Sequence, residues 1–404
     1  MYDLLIKNGQ VMDPASDLVG KLDIAISNAR IVRIAQGIEE GEARRVLDAA
    51  GKLVVPGLID LHAHVNFGVA TQDVNENNAP PDLVGVQSGV TTLVDGGSTG
   101  SHSFGGFVRY VVPASRTRLL AFLNLCRTGW LAQPAMSTRA SVDLEATIHT
   151  IQAHKPLIPG VKLSLWGPVL DVFGMEAVRL AVRAARETGT RLMVHIGDLG
   201  DQPHPQVAMF TRQMLGMLAP GDIVTHVCTA RPGGVLDGNR RVIPELLDAR
   251  NRGVVLDSAQ GRTNFSFDTT RRLVDQGIVP DVISSDITLG GRTWIVYSLT
   301  ECMSKFLSLG FGLEEVIRMT TSNTARALGM SDTLGAIAVG READLSIIEV
   351  VEGEWELSDS FGQRLRGEKA LVPVATIRAG GIIMPDWGPH PWGWLPSRMA
   401  TGTD

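Results

Sequence analysis

Ile59-Asp60-Leu61-His62-Ala63-His64 lies just after the turn Pro56-Gly57 and overlaps Leu58–Leu61, the first of eight short apolar segments that we predict to be strands. Amphipathic stretches separate these segments, and from Met175 to Thr188 the apolar residues recur with the 3.6-residue period of a helix. Such alternation predicts an α/β protein with a parallel sheet. The eight predicted strands are Leu58–Leu61, Thr92–Val94, Leu119–Leu123, Val161–Leu165, Leu192–Val194, Ile223–Thr225, Val254–Leu256 and Val282–Ser284.

The number of strand–helix units favours one closed architecture. Eight such units form a (β/α)8 TIM barrel. An open doubly wound sheet is the alternative, but it normally has a phosphate-binding glycine turn after its first strand. Here the first strand leads into His62-Ala63-His64 instead. We therefore expect the barrel, over residues 57–334.

The segments on either side of the barrel are rich in predicted short strands. Residues 1–56 contain Asn8-Gly9, which predicts a two-residue hairpin because both turn positions need positive φ. We expect residues 1–56 and 335–385 to pair in one small sheet domain, followed by a Pro/Trp-rich tail over 386–404 that packs on the barrel or on another subunit. The strands predicted after the barrel are Ala336–Val339, Leu345–Glu349 and Thr376–Ala379.

Composition and charge exclude several classes of protein. The 404 residues carry 37 basic and 43 acidic side chains, a net charge of −6, and a mildly acidic chain is a poor nucleic-acid binder. No apolar run approaches the ~18–20 residues of a membrane helix. The start Met1-Tyr2-Asp3 lacks signal-peptide character, and three separated cysteines argue against a disulfide framework. We expect a cytoplasmic homo-oligomer with neither nucleic-acid nor membrane partners.

Side chains suited to metal binding or acid–base chemistry stand at five predicted strand ends. His195 and His226 are 31 residues apart, which is one βα unit, and Asp286 follows His226 by 60 residues, which is two units. Residues at the C-terminal ends of barrel strands point into the mouth where such barrels have their active sites. The spacing therefore predicts a single site. Its six candidate residues are His62, His64, Lys162, His195, His226 and Asp286.

The residue types in this set predict a metal centre. His62 and His64 are two residues apart on a strand, so both face the same side and can bind one ion. Four histidines and an aspartate exceed the three protein ligands of one catalytic zinc, which suggests two divalent ions, with zinc the expected metal. An ammonium group at Lys162 would be repelled by two cations. This conflict disappears if carbon dioxide carbamylates Lys162 and so makes it a bridging carboxylate.

These residues and two later motifs resemble the amidohydrolase superfamily. The resemblance implies a TIM barrel, a small β-sandwich domain formed by the N- and C-terminal segments, and a binuclear centre with carbamylated Lys162. The motifs are Ile59-Asp60-Leu61-His62-Ala63-His64, Gly160-Val161-Lys162, His195, His226, Ser285-Asp286, Asn323-Thr324-Ala325-Arg326-Ala327-Leu328-Gly329 and Gly340-Arg341-Glu342-Ala343-Asp344-Leu345.

Two other segments point to one branch of that superfamily. Gly89 to Ser98 and Phe122-Leu123-Asn124 are similar to dihydroorotase-like proteins, several of which behave as deacetylases of small acylated acids. One departure is Ala259-Gln260-Gly261, where relatives often carry Gly-His-Gly after strand seven. The departure concerns the substrate rather than the metal site.

The predicted reaction is hydrolysis of an amide or ester in a small acylated hydroxy or amino acid, with acetyl the expected acyl group. A hydroxide that bridges the two metals attacks the carbonyl carbon, and Asp286 passes its proton to the leaving group. The alternative role for Asp286 is that of a pure ligand. Two other functions stay open: cyclic amide hydrolysis of dihydroorotase type, and a non-catalytic oligomeric scaffold. The scaffold is disfavoured because all six ligand positions hold ligand-type residues.

Loop residues beyond the strand ends are candidates for binding a carboxylated substrate. A guanidinium group offers bidentate pairing to a carboxylate, and we favour Arg231 over Arg262 and Arg292 because Pro232-Gly233-Gly234 stiffens its loop. Ser98 and Asn124 are further candidates for binding substrate, and their alternative role is capping or turn formation. Cys228 could be a thiolate ligand, but we interpret it as a buried apolar residue. The loop Asn66–Pro81 is either a lid or a surface loop.

Overall fold

The computed structural model describes residues 1–68, 77–131 and 135–386. Its strands are β1 (Leu4–Asp13), β2 (Leu18–Ser27), β3 (Arg30–Ala35), β4 (Val46–Asp48), β5 (Leu53–Pro56), β6 (Leu58–Ala63), β7 (Val90–Asp95), β8 (Arg118–Ala121), β9 (Leu123–Asn124), β10 (Gly160–Ser164), β11 (Arg191–His195), β12 (Ile223–Thr225), β13 (Val255–Asp257), β14 (Leu345–Ser358), β15 (Arg364–Arg378) and β16 (Gly381–Ile383). Its α-helices are α1 (Pro81–Val84), α2 (Phe104–Gly106), α3 (Leu144–Ala153), α4 (Gly167–Phe173), α5 (Glu176–Thr188), α6 (Val207–Leu215), α7 (Pro244–Asn251), α8 (Phe267–Asp275), α9 (Leu289–Arg292), α10 (Leu299–Ser308), α11 (Leu313–Thr320) and α12 (Ser322–Leu328).

Parallel strands form the middle of the chain, as the α/β prediction requires. One sheet has the order β6-β7-β8 and another the order β13-β12-β11-β10-β9, and every pairing within them is parallel. Strands β6, β7 and β10 are buried along their whole length, which is typical of a parallel sheet covered on both faces. Because parallel strands end at one edge, their last residues lie close together.

Seven of the eight predicted strands occur as strands, and the eighth differs. Residues 282–284 form no regular strand. Val282 instead makes one parallel bridge to Asp257, and Ile287 makes another to Ala63. The Asp286 backbone N–H donates to the His62 carbonyl oxygen at 2.6 Å. This segment therefore touches both parallel sheets and carries Asp286 to the end of β6.

The two ends of the chain share one sheet, as predicted. Its order is β16-β15-β14-β5-β1-β2-β3, with β4 paired to β1. The link between the ends is the antiparallel pairing of β5 with β14, in which Pro56 lies opposite Leu345 and Leu53 opposite Ile348. Apolar residues of both ends, including Leu4, Val54 and Ile347, form one buried cluster there.

Two local predictions near the ends are wrong. Asn8-Gly9 makes no hairpin: β1 runs through it, and the register shifts between Ile6 and Gly9 as in a β-bulge. Asn8 does adopt positive φ (60°), but its N–H donates to Asp23 Oδ1, so the strand continues beside β2. Ala336–Val339 is irregular rather than a strand. The Ile337 N–H donates there to the Asp13 side chain instead of to a neighbouring strand.

The other local predictions have mixed outcomes. The helix predicted over Met175–Thr188 is confirmed as α5, which ends at Gly189 with φ 65°. The predicted tail falls on residues 387–404, outside the described residues, and so does the middle of the Asn66–Pro81 loop, residues 69–76. Within the described ranges, no helix combines the length and apolar character needed to cross a membrane.

Candidate metal centre

The six predicted metal ligands line one cavity of about 250 Å³. His62 lies in β6, Lys162 in β10, and His195 ends β11. His64 and His226 directly follow β6 and β12, whereas Asp286 lies in the irregular segment after Val282. Lys162 Nζ lies 2.9 Å from His62 Nε2, and Asp286 Oδ1 lies 3.2 Å from His64 Nε2. The His226 ring is centred 4.2 Å from the His195 ring and 5.1 Å from the His62 ring. The structure thus brings all six side chains together.

Three of the six side chains already stand close enough to share one ion. One ligand atom from each of His62, His64 and Asp286 lies within 4.8 Å of the other two. Imidazole nitrogens with a carboxylate oxygen form a donor set that suits zinc and related divalent ions. This part of the cavity can therefore hold a metal ion.

His195 and His226 each have one ring nitrogen tied to a backbone carbonyl. His195 Nε2 lies 3.1 Å from the Gly197 carbonyl oxygen, and His226 Nδ1 lies 2.7 Å from that of Ala259. A carbonyl oxygen only accepts, so those nitrogens carry the hydrogen. His195 Nδ1 and His226 Nε2 consequently keep the lone pairs that a metal ion needs.

Burial keeps three of the imidazoles neutral. Removal from water lowers the pKa of His62 and His195 well below the usual histidine range, and lowers that of His226 to about 4. A metal ion binds the neutral imidazole. The site therefore presents its histidines in the form that ligates.

Lys162 is buried and forms no ion pair within the described ranges. Its Nζ contacts His62 Nε2 at 2.9 Å and Met193 Sδ at 3.6 Å. Burial lowers the pKa of Lys162 to about 8. A lysine with this pKa is still mostly protonated at pH 7, but its neutral fraction is far larger than that of an exposed lysine, and the neutral amine is the form that reacts with carbon dioxide. The environment suits carbamylation, which stays a prediction.

Asp286 is held in an uncommon backbone conformation. Its φ is 49° and that of His226 is 71°, both in the left-handed region that non-glycine residues seldom adopt. Burial raises the pKa of Asp286, but its contact with His62 and its hydrogen bond with His64 outweigh burial and hold that pKa well below the usual carboxyl range. Asp286 is therefore a carboxylate. A side chain at Gly261 would block it, since a Cβ there would lie 2.2 Å from Asp286 Oδ2.

The predicted substrate-binding residues are placed differently from one another. Arg231 and Arg262 line the cavity, and Ser98 lines it while bonding to His64 Nδ1 at 2.8 Å. Asn124 does not line it: its Nδ2 donates to the Gly97 carbonyl and its Oδ1 accepts from the Cys126 N–H, both at 2.9 Å. This placement supports a structural role for Asn124.

The two cavity arginines bond to neutral acceptors. Arg231 donates to the Thr263 carbonyl at 3.0 Å and to the Asp198 carbonyl at 3.2 Å, and Arg262 donates to Asn77 Oδ1 at 2.9 Å. Neither guanidinium forms an ion pair with the described part of the chain. Arg292 is buried and does not line the cavity.

Cys228 and Gln260 are two further residues that the sequence singled out, and neither side chain takes part in the candidate metal centre. Cys228 is buried, and burial raises the pKa of its thiol to about 12, so it is no thiolate at neutral pH. Gln260, at the departure from the related motif, donates from Nε2 to the Cys302 carbonyl of α10 at 3.1 Å. Its side chain contacts the helix behind the strand and does not line the cavity.

Several residues of the site were not singled out from the sequence. The cavity wall also contains Trp130, Leu199 and Asn264. Behind the ligands, Asp257 accepts from Thr225 Oγ1 and from Ser284 Oγ, each at 2.7 Å. Burial raises the pKa of Asp257 to about 6. The sequence did contain a signal for Asp257, because this residue directly follows the apolar segment Val254–Leu256 and so stands at a predicted strand end.

The chain belongs to the amidohydrolase family, whose model matches residues 53–372. It is therefore a hydrolytic enzyme of a family that typically uses a divalent metal, often zinc. Its relatives confirm the predicted deacetylase and dihydroorotase-like branch.

The most informative relatives are two curated proteins and two solved structures. Deacetylase Atu3266 of Agrobacterium fabrum is 28% identical over 365 residues, or 89% of this chain and 86% of that protein. A deacetylase of Enterococcus faecalis is 29% identical over 94% of this chain and 99% of its own length. A crystal structure of an adenine deaminase has a TM-score of 0.84 and 27% identity, covering 95% of this chain and 100% of that one. A dihydroorotase structure has a TM-score of 0.82 and 26% identity, covering 95% and 99%.

Proposed function

We propose that this chain is a metal-dependent deacetylase that cleaves an amide or ester bond in a small acetylated hydroxy or amino acid. The observation that carries the proposal is the convergence of His62, His64 and Asp286, with ligand atoms within 4.8 Å of one another, in a cavity that Lys162 and two further histidines also line. The similarity to proteins named deacetylases over most of the chain supports the acyl group.

The donor set fits a binuclear zinc centre. The neutral imidazoles and the ionised Asp286 are metal-binding forms, and a carbamate on Lys162, formed with carbon dioxide, would add a further anionic ligand. The residues that would hold the two ions are His62, His64, Lys162, His195, His226 and Asp286. Bound ions would supply Lewis acidity toward the carbonyl oxygen and lower the pKa of a bound water.

Asp286 is placed to move the proton of the attacking water. Its Oδ1 lies 3.2 Å from His64 Nε2 and 3.5 Å from His62 Nε2, at the centre of the ligand group. The residue is ionised, so its carboxylate has the free lone pairs that a proton acceptor needs. It then returns that proton to the leaving nitrogen or oxygen, acting first as general base and then as general acid.

Arg231 is the proposed anchor for the substrate carboxylate. Its guanidinium is oriented by two backbone carbonyls and has no acidic partner among the described residues. Two arginines and Asp286 line the cavity, so an anionic ligand improves its charge balance. Trp130 and Leu199 offer an apolar wall for the rest of the substrate.

The proposal includes the architecture that presents this site. We infer that the two parallel sheets close through the segment 282–287 into a (β/α)8 barrel over residues 57–334. The terminal segments 1–56 and 335–385 would form a β-sandwich beside it. The bridges Asp257–Val282 and Ala63–Ile287 support closure.

A hydrolysis panel tests the proposed activity. The full-length protein, purified with zinc, is given N-acetyl amino acids, O-acetyl hydroxy acids and dihydroorotate, with a chelator-treated sample as the control. We expect acetate release that the chelator abolishes. Ring opening of dihydroorotate alone would favour the cyclic amide hydrolase, for which the dihydroorotase structure provides the support. No turnover of any compound would contradict the proposal.

A further inference from the structure

A buried chain of hydrogen bonds leads away from His62 on the side opposite the cavity. His62 Nδ1 lies 3.0 Å from Thr225 Oγ1, and Thr225 Oγ1 donates to Asp257 Oδ2 at 2.7 Å. Ser284 Oγ donates to the other oxygen of Asp257 at 2.7 Å. All four side chains are buried. Thr225 and Asp257 do not line the cavity, so they lie behind His62 rather than beside a substrate.

The direction of these hydrogen bonds follows from the number of hydrogens. A threonine hydroxyl has a single hydrogen, and Thr225 gives it to the carboxylate of Asp257. Toward His62, Thr225 can then only accept, so His62 Nδ1 carries a hydrogen and Nε2 keeps its lone pair. The contact on the opposite side of the ring supports the same tautomer, because the Lys162 amine is a hydrogen-bond donor and its Nζ lies 2.9 Å from His62 Nε2.

His62 differs in this respect from the other three site histidines. Their second nitrogens bond to a serine hydroxyl or to backbone carbonyl oxygens. Among these four histidines, only His62 is linked through its outer nitrogen, by way of Thr225, to a carboxylate. A carboxylate behind an imidazole fixes the tautomer and raises the basicity of the nitrogen that binds the metal.

We propose that Thr225 and Asp257 form a positioning relay, which holds His62 in its Nδ1–H tautomer with Nε2 toward the cavity and thereby sets the zinc affinity of the site. The proposal rests on the metal centre proposed above. Thr225 and Asp257 are positioning residues, since they act only through His62. Ser284 completes the relay by fixing the second oxygen of Asp257.

Zinc affinity tests the relay. Metal-free full-length protein is titrated with zinc against a chromophoric chelator, for wild type, Thr225→Val and Thr225→Ser. Valine keeps the shape of threonine and removes the hydroxyl, so we expect zinc binding to weaken by about 10–100-fold. Serine keeps the hydroxyl and should stay within a few-fold of wild type. The matched control is Thr92→Val in β7, since Thr92 is buried and its hydroxyl has no partner in the described part of the chain.

The tautomer gives a second readout, which is measured on the wild-type protein. Nitrogen-15 NMR of the zinc-free wild-type protein with labelled histidine should show the His62 hydrogen on Nδ1, with the signal assigned by its loss in His62→Gln. Protonation on Nε2 would overturn the proposal.

The titrations separate failure of the relay from failure of the metal centre. Wild-type zinc affinity in Thr225→Val, or equal weakening in Thr225→Ser, would overturn the relay alone. A wild-type protein that binds no zinc would overturn the metal centre and the relay with it.

Discussion

Asp286→Asn separates proton transfer from folding at this site. Asparagine has nearly the shape of aspartate, and it tolerates the left-handed region that residue 286 occupies at φ 49°. The carboxylate is packed closely enough that a Cβ at Gly261 would lie 2.2 Å from Oδ2, so a residue of another shape would disturb the site. We therefore expect the variant to fold and to keep most of its histidine-bound zinc.

The expected loss is kinetic. A carboxamide does not readily take up the proton that Asp286 is proposed to transfer. Positioned general acid–base groups contribute about 10²–10⁴ in rate, which corresponds to about 2.7–5.4 kcal/mol of transition-state stabilisation. We expect kcat to fall by about that factor, and further if the metal contact of Oδ1 is also lost.

The assay measures kcat for acetate release, zinc content and thermal unfolding on the same samples. Asp201→Asn is the matched control, because Asp201 is exposed in the segment that follows β11. A kcat within a few-fold of wild type, at wild-type zinc content, would refute the reasoning. Asp286 would then be only a ligand, and another group would have to move the proton.

Arg231, Gly261 and Lys162 provide the other tests. Arg231→Met should lower kcat/KM on carboxylated substrates by a factor that corresponds to roughly 2–5 kcal/mol, and should change kcat/KM little on a neutral ester analogue. The control is Arg241→Met, at an exposed position. Equal losses on both substrates would contradict the proposed role of Arg231. Gly261→Ala should displace the Asp286 carboxylate and lower the zinc content of the protein. The control is Gly277→Ala, because Gly277 also has positive φ but no neighbour within 4 Å, so this variant should lose stability and keep its zinc. At constant dissolved carbon dioxide, the rate of zinc loading should increase from pH 6.5 to pH 8.5. The reason is that Lys162, with its pKa of about 8, is mainly protonated at the lower pH and mainly neutral at the higher pH. A rate that stays flat or falls would argue against carbamylation.

The middle of the fold could be predicted because buried parallel strands have a plain signature. Strands covered on both faces are continuous apolar runs, and β6, β7 and β10 are buried along their length. Polar side chains at the ends of such runs stand out, and this contrast predicts the six candidate ligands. Their convergence follows from parallel strands that all end at one edge.

The local structures that the sequence mispredicted depend on contacts with residues that are distant in the sequence. Asn8-Gly9 has the local signal of a hairpin, but Asp23 of the neighbouring strand accepts the Asn8 N–H and keeps β1 continuous. The segment after Val282 is a strand by composition, yet it makes only isolated bridges.

The role of Thr225, behind the proposed ligand His62, was also hidden from the sequence. Thr225 ends an apolar run, where threonine is an ordinary β-former. Only the structure shows that its hydroxyl connects His62 with Asp257.

Metal content tests the central claim most directly. Elemental analysis of fully active, full-length protein purified with zinc should give close to two equivalents per chain, since the six ligands and the carbamate are proposed to form a binuclear centre. A stable content near one equivalent in fully active enzyme would contradict the binuclear centre. Full activity without bound metal would contradict the metal-dependent mechanism itself.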